Sequence, residues 1–93
     1  MAKYIVLTTS LFDREAGKLA KFHRNITDVL SSVIFVLEND PFNNSRHYDI
    51  RKLESVKHGE GQFRIRLGQW RIRYDVEDDK VILYSFRDRK EGY

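Results

Sequence analysis

Apolar and cationic positions alternate with period two over Phe63–Tyr74, which reads Phe-Arg-Ile-Arg-Leu-Gly-Gln-Trp-Arg-Ile-Arg-Tyr. That period predicts a pair of half-buried strands. Gly68-Gln69 separates the arms, and glycine at the first central position suits a tight type II′ turn. With that turn Leu67 pairs with Trp70, Arg66 lies opposite Arg71, and Arg64 lies opposite Arg73. Phe63, Ile65, Leu67, Trp70, Ile72 and Tyr74 then share one face, and four arginines share the other. Upstream the pattern changes. Lys3–Thr8 is rich in β-branched and aromatic residues and predicts a first strand. Ser10 is placed to cap a helix, with Asp13 near its positive end, and Phe12, Ala16, Leu19 and His23 recur at helical spacing. Asn25 offers a second cap before the apolar stripe Ile26, Val29, Leu30, Val33, Ile34 and Leu37. Asn39-Asp40-Pro41 ends that helix. Asn43 to Arg46 is polar loop, Tyr48–Leu53 fits either loop or a short strand, and Gly59 and Gly61 loosen the chain before the hairpin. Glu77-Asp78-Asp79-Lys80 turns the chain into a last strand, Val81–Phe86. The expected architecture is one α+β domain over residues 1–93, ordered β-α-α-β-β-β, with two helices packed on one face of an antiparallel sheet.

The register extends one strand further. If Val76 faces Val81 across the acidic turn, Val81, Leu83 and Ser85 join the helix-covered face. Ile82, Tyr84 and Phe86 then fall on the arginine face. Aromatic planes among guanidinium groups suit single-stranded RNA, whose bases stack while its phosphates are clamped. The same apolar surface also suits a partner protein.

Charge sharpens this picture. The 93 residues are 41% apolar and 33% charged, normal for a soluble globular chain. The net charge of +3 is modest, so the basic residues matter for where they sit. Acidic and basic residues balance along most of the sequence, and the balance breaks at the hairpin. Like charges directly opposite on a sheet are destabilising. Two such pairs side by side point to an anion, because arginine forks onto phosphate, and a polyanion site is favoured over an ordinary solvated face. The absence of cysteine removes disulfides and thiolate metal sites and fits a reducing compartment. The apolar run Tyr4–Leu7 is far too short for a signal sequence or a membrane span. A cytoplasmic protein without a membrane partner is expected.

Other chemistry is sparse. His58 precedes the basic strand and is a candidate general base, although its position equally fits a solvent-facing loop. His23 is expected at the edge of the helix–sheet core and His47 on a loop. Three histidines so dispersed make no metal site, and no cofactor is expected. Glu60 could orient a basic neighbour or be an ordinary loop residue, and Gly59-Glu-Gly61 lacks the surroundings of a dinucleotide fingerprint. No Ser/His/Asp grouping assembles from spacing.

The stretch from Arg51-Lys52-Leu53 through Phe63-Arg-Ile-Arg-Leu, Trp70-Arg-Ile-Arg-Tyr and Lys80-Val-Ile-Leu to Arg87-Asp-Arg-Lys-Glu-Gly-Tyr93 resembles the RelE/ParE toxin superfamily, and most of all its RelE branch. The strand and two helices before it agree in order and spacing. The resemblance implies the toxin of a type II toxin–antitoxin pair, with a cognate antitoxin protein, the ribosome and mRNA as partners. RelE-like toxins enter the ribosomal A site and cut mRNA without a metal, the 2′-hydroxyl attacking the neighbouring phosphate. By the same resemblance Arg64 and Arg66 match the basic residues on the first strand of the family's site. Arg71 matches an arginine that stabilises the scissile phosphate, Arg87 one that protonates the leaving oxygen, and Tyr93 a tyrosine that stacks on or orients the substrate. Arg73 and Arg89 are further phosphate-contact candidates, and Tyr84 and Phe86, which the register puts on the arginine face, are the candidates for base stacking. RelE proteins often carry lysine where Arg66 stands. Arginine is a permanent cation, so Arg66 is a clamp and not a base, and either another group or water takes the 2′ proton or cutting is slow. No C-terminal helix is expected after Tyr93. The rival readings are a ParE-like inhibitor of DNA gyrase and a non-catalytic RNA- or protein-binding module on the same fold. Arg87 and Tyr93 with the arginine cluster favour the nuclease.

Overall fold

The computed structural model describes residues 3–89. Within them the order is β1 (Ile5–Thr8), α1 (Ser10–Phe22), α2 (Ile26–Asn39), β2 (Asp49–Lys52), β3 (Phe63–Leu67), β4 (Trp70–Glu77) and β5 (Lys80–Asp88). The ambiguous segment is therefore a strand, β2, on one edge of a five-stranded sheet of order β1-β5-β4-β3-β2. β2 through β5 pair antiparallel. β1 pairs with β5 in parallel, Val6 opposite Val81, which makes the α+β sheet mixed.

Each helix turns most of its predicted stripe to the sheet, with Ala16, Leu19, Val29 and Leu30 partly buried and Val36 taking the place expected of Ile34. Phe12 of α1 and Ile26, Val33 and Leu37 of α2 meet Ile65, Trp70, Ile72, Tyr74, Val81, Leu83 and Phe86 of the sheet in one core. Thr9 rather than Ser10 caps α1. Its extended backbone lets Oγ1 accept from the Phe12 N–H at 3.2 Å while donating to the Leu83 carbonyl at 3.0 Å. That single hydroxyl fastens helix to sheet. Asn25 occupies the N-cap position of α2 without a side-chain capping bond. Asp40 ends α2, and the Tyr74 hydroxyl, fully buried, donates to the Pro41 carbonyl at 2.6 Å. His23 lies at the core margin, its ring edge-on to Trp70 at 4.8 Å.

The β3–β4 hairpin has the predicted register, with Leu67 opposite Trp70, Arg66 opposite Arg71 and Arg64 opposite Arg73. Gly68 sits at φ +60°, as the first central residue of a type II′ turn requires. Across β4–β5 the expected register starts correctly, with Val76 opposite Val81 and Tyr74 opposite Leu83, and then shifts between Arg73 and Tyr74. Arg73 faces Ser85, so β5 carries one extra residue, Tyr84, at a β-bulge. The shift exchanges faces beyond it. Phe86, expected beside the arginines, lies opposite Ile72 and is 2% exposed. Its ring stacks on Phe12 at 5.6 Å and meets Trp70 edge-on at 5.8 Å. Ser85, expected in the core, moves to the arginine face, and Arg87 arrives there with it.

Candidate functional site

Because side chains alternate across a strand, the register writes two rows onto the face opposite the helices. One row runs Asp49, Arg66, Arg71, Arg87 across β2, β3, β4 and β5. The other runs Arg51, Arg64, Arg73, Ser85 across the same strands. Neighbouring positions in a row are roughly 5 Å apart, the spacing of strands in a sheet. Crowding of this kind raises the cost of each charge. Arg64 registers it: burial first, then Arg66, Arg51 and Arg71, lower its pKa against the opposing pull of Asp49.

Carboxylates stand at the margins of the first row. Asp49 bonds Arg64 Nη2 at 2.9 Å and lies 3.8 Å from Arg66 Nε. Glu15 of α1 lies 3.4 Å from Arg87 Nη2. Among the described residues, the buried Nε of Arg64 and the buried Oγ of Ser85 have no hydrogen-bond partner. Buried polar atoms are usually satisfied, so donors left facing a cleft mark where an outside acceptor can dock.

The loop between β2 and β3 forms the wall over this floor, and it is anything but loose. Asp75, fully buried on β4, accepts from the backbone N–H groups of Gly59, Gly61 and Gln62. The Tyr84 hydroxyl also hydrogen-bonds Asp75, and burial together with that carboxylate pushes the tyrosine pKa up. Arg73 grips the same loop, Nε donating to the Gly61 carbonyl at 3.1 Å and Nη2 to the Glu60 carbonyl at 3.0 Å. Gly59 and Gly61 serve this clamp through positive φ, a conformation that costs glycine little. Two clefts result, with Arg73 lining both. The first, about 360 Å³, is lined by Leu53, Glu54, Val56, Arg64, Arg71 and Arg73. The second, about 460 Å³, is lined by Leu11, Glu60, Arg73, Tyr84, Ser85 and Arg87.

The fold thus brings Arg64, Arg66, Arg71, Arg73 and Arg87 onto one face. Arg89 is exposed just past β5, its N–H bonded to the Gln69 carbonyl of the hairpin turn at 2.7 Å. Tyr84 borders the second cleft but is tied to Asp75, and Phe86 is core, so the expected aromatic platform beside the arginines does not form. His58 and His47 are exposed. Tyr93 lies outside the described residues. Sequence reading missed four residues of the site. Arg51 falls in the second row only once β2 is a strand. Asp49 and Glu15 hold the margins, and Asp75 is joined to its loop from 13–16 positions away. The alternation of β2 could have given Arg51 and Asp49; nothing local signals the other two.

Chemically, this is a preorganised bed of cations with partly buried donors. It can bind a polyanion and stabilise negative charge that develops on a bound group. The arginines of the rows offer donors and no proton acceptor; the carboxylate in the rows, Asp49, is engaged by Arg64 and Arg66.

No family model and no curated protein matches the sequence. The likeness is structural. The RelE toxin of the RelB–RelE antitoxin–toxin complex from Methanococcus jannaschii superposes with a TM-score of 0.67 at 24% identity, over 91% of this chain and 92% of that one. The RelE–RelB complex from Pyrococcus horikoshii gives 0.68 at 24% identity, over 97% and 99%. The RelBE2 toxin–antitoxin complex from Mycobacterium tuberculosis gives 0.70 at 20% identity, over 94% and 99%. On these superpositions, which span nearly the whole of each chain, the protein has the RelE toxin fold.

Proposed function

We propose that this protein is the toxin of a toxin–antitoxin pair and that its arginine face cuts mRNA on the ribosome. The observation that carries the proposal is the row Arg66–Arg71–Arg87, in which three strands bring like charges side by side. A sheet gains nothing from such a row in the absence of an anion. In the proposed reaction the 2′-oxygen bonds to the adjacent phosphorus and the bond from phosphorus to the 5′-oxygen breaks. The products are a cyclic phosphate and a free 5′-hydroxyl. Arg71, between Arg66 and Arg87, faces the phosphorane and stabilises its charge. Arg66 and Arg64 clamp the flanking phosphate, and Arg87 donates a hydrogen bond to the leaving oxygen, stabilising its developing charge while it takes up a proton from water. Water carries off the 2′ proton, since a guanidinium cannot accept it. Arg73 keeps its place in the site by holding the loop that walls both clefts. Tyr84 shapes the second cleft, Arg89 extends the basic surface, and Tyr93 orients the substrate.

Three of the structural relatives occur in complexes with RelB antitoxins. We extend the arrangement to this chain as a cognate antitoxin, whose acidic residues would speed encounter with the arginine face while apolar contacts hold the complex. The test is purified protein added to ribosomes translating a defined mRNA, followed by primer extension and by analysis of the product ends. Cleavage in the A site, with cyclic or 3′-phosphate ends, is expected. Intact mRNA together with inhibited DNA gyrase would move the protein to the ParE-like reading.

A further inference from the structure

β5 outlasts the strand beside it. β1 ends at Thr8, opposite Leu83, whereas β5 continues to Asp88. The outer edge of β5 beyond Leu83 is covered by α1. There the Phe86 N–H donates to Glu15 Oε1 at 3.2 Å. The other oxygen, Oε2, lies 3.4 Å from Arg87 Nη2. One carboxylate thus answers an edge N–H that a strand would otherwise have satisfied and holds the next residue's guanidinium. The Glu15 side chain is 17% exposed, against 40% for Arg87.

The carboxylate is fixed from three sides. Phe12, one turn earlier on α1, is buried and stacks on Phe86 at 5.6 Å. The Thr9 hydroxyl ties the start of the helix to Leu83. The Phe86 N–H holds Oε1 itself. A side chain so anchored cannot follow a guanidinium that swings away, so it restricts where the Arg87 head rests. A guanidinium has five donors in a rigid fork. Pairing one edge with Glu15 leaves the others directed at the cleft shared with Arg73, Tyr84 and Ser85.

We propose that Glu15 is a positioning residue for Arg87: it holds the guanidinium in the orientation needed at the leaving oxygen. The inference rests on the nuclease reading above. Its test uses single-turnover cleavage on programmed ribosomes alongside thermal melts of the same proteins. Glu15→Gln keeps an oxygen for the Phe86 N–H and removes the charge facing Arg87. It should melt with the parent, lower the maximal single-turnover rate about tenfold and leave the half-saturating concentration within about twofold. Glu15→Asp, which restores the charge on a shorter arm, should recover part of the rate. In an Arg87→Gln background, Glu15→Gln should change the residual rate by less than about twofold, because the two residues act as a unit. Parent-like cleavage by Glu15→Gln, with Arg87→Gln crippled, overturns the inference and leaves the nuclease reading intact. Faster cleavage by Glu15→Gln also overturns it and makes Glu15 a counter-ion competing with RNA. Parent-like cleavage by Arg87→Gln removes Arg87 from the reaction and takes both the inference and the site as drawn with it.

Discussion

Arg73 and Gly61 meet where β4 passes under the β2–β3 loop, and the contact leaves no room for a side chain. Gly61 has φ +84°, and a Cβ built there would lie 3.0 Å from the Cβ of Arg73. Gly61→Ala therefore meets both an unfavourable backbone conformation and a β-strand that cannot retreat. We expect a loss of about 1–3 kcal/mol in denaturant melts, the usual cost of a residue held in a sparsely populated region. A parent-like melt would mean that the clamp is dispensable. Tyr74 gives a second expectation. Burial, with Asp40 adding to it, pushes its pKa far above the usual phenol range. An unfolded tyrosine ionises near pH 10, roughly. Above that pH the unfolded chain sheds a proton that the folded chain keeps, so stability falls as pH rises. Melts at neutral pH and at about pH 11 should show that decline, and Tyr74→Phe should flatten it while costing about 1 kcal/mol at neutral pH through the lost bond to Pro41. At this scale the sequence was only partly legible. Thr9 and Ser10 both cap well, and only the Leu83 carbonyl decides between them. Asp75 carries no local signal in the sequence, and its role emerges only where Gly59, Gly61 and Gln62 converge on it.

Among the elements, the bulge in β5 has the largest consequence. It sends Phe86 into the core and Arg87 to the surface, where an unbroken strand would do the reverse. Phe86→Ala should cost about 3–5 kcal/mol, the range for a buried phenylalanine. A surface aromatic at the same position would cost far less, so a small loss would contradict the shifted register. The pair Phe86-Arg87 hinted at the shift. Burying Val81 and Leu83 in one phase places Arg87 inside, and only an inserted residue reconciles the two. The β3–β4 hairpin was fully legible because its alternation is strict and Gly68 sets the turn. β2 was ambiguous because four mostly polar residues on an edge carry little periodic signal. The parallel pairing of β1 with β5 was invisible locally, since it joins the first strand to the last and depends on both helices packing between.

For the molecule as a whole, the helices and the hydrophobic face of the sheet supply the stability that lets the other face collect charge. Arg64, Arg66, Arg71, Arg73 and Arg87 each stand next to at least one core residue on their strand, such as Ile65, Ile72 and Phe86. The cationic face is thus built on the core beneath it, while Asp49, Glu15 and the β2–β3 loop hold individual guanidinium groups. The polyanion site was legible in the sequence, because two opposed arginine pairs follow from one hairpin. Its extension to Arg51 was not, because that needs β2 as a strand, and Arg87 was legible through the family resemblance alone, because the strand pattern puts it on the core face until the bulge is known. Arg71 is the decisive position, for it has like charges opposite it on both neighbouring strands. Each such pair costs roughly 0.2–1 kcal/mol, and Arg71→Gln relieves both while keeping a polar side chain. The measurement is a denaturant melt and an mRNA cleavage rate on translating ribosomes, made on the same two proteins. Equal or slightly higher stability is expected, with cleavage reduced at least about tenfold, the equivalent of about 1.4 kcal/mol of transition-state stabilisation. A clear loss of stability with cleavage intact would contradict the proposed site and make the arginines part of the scaffold.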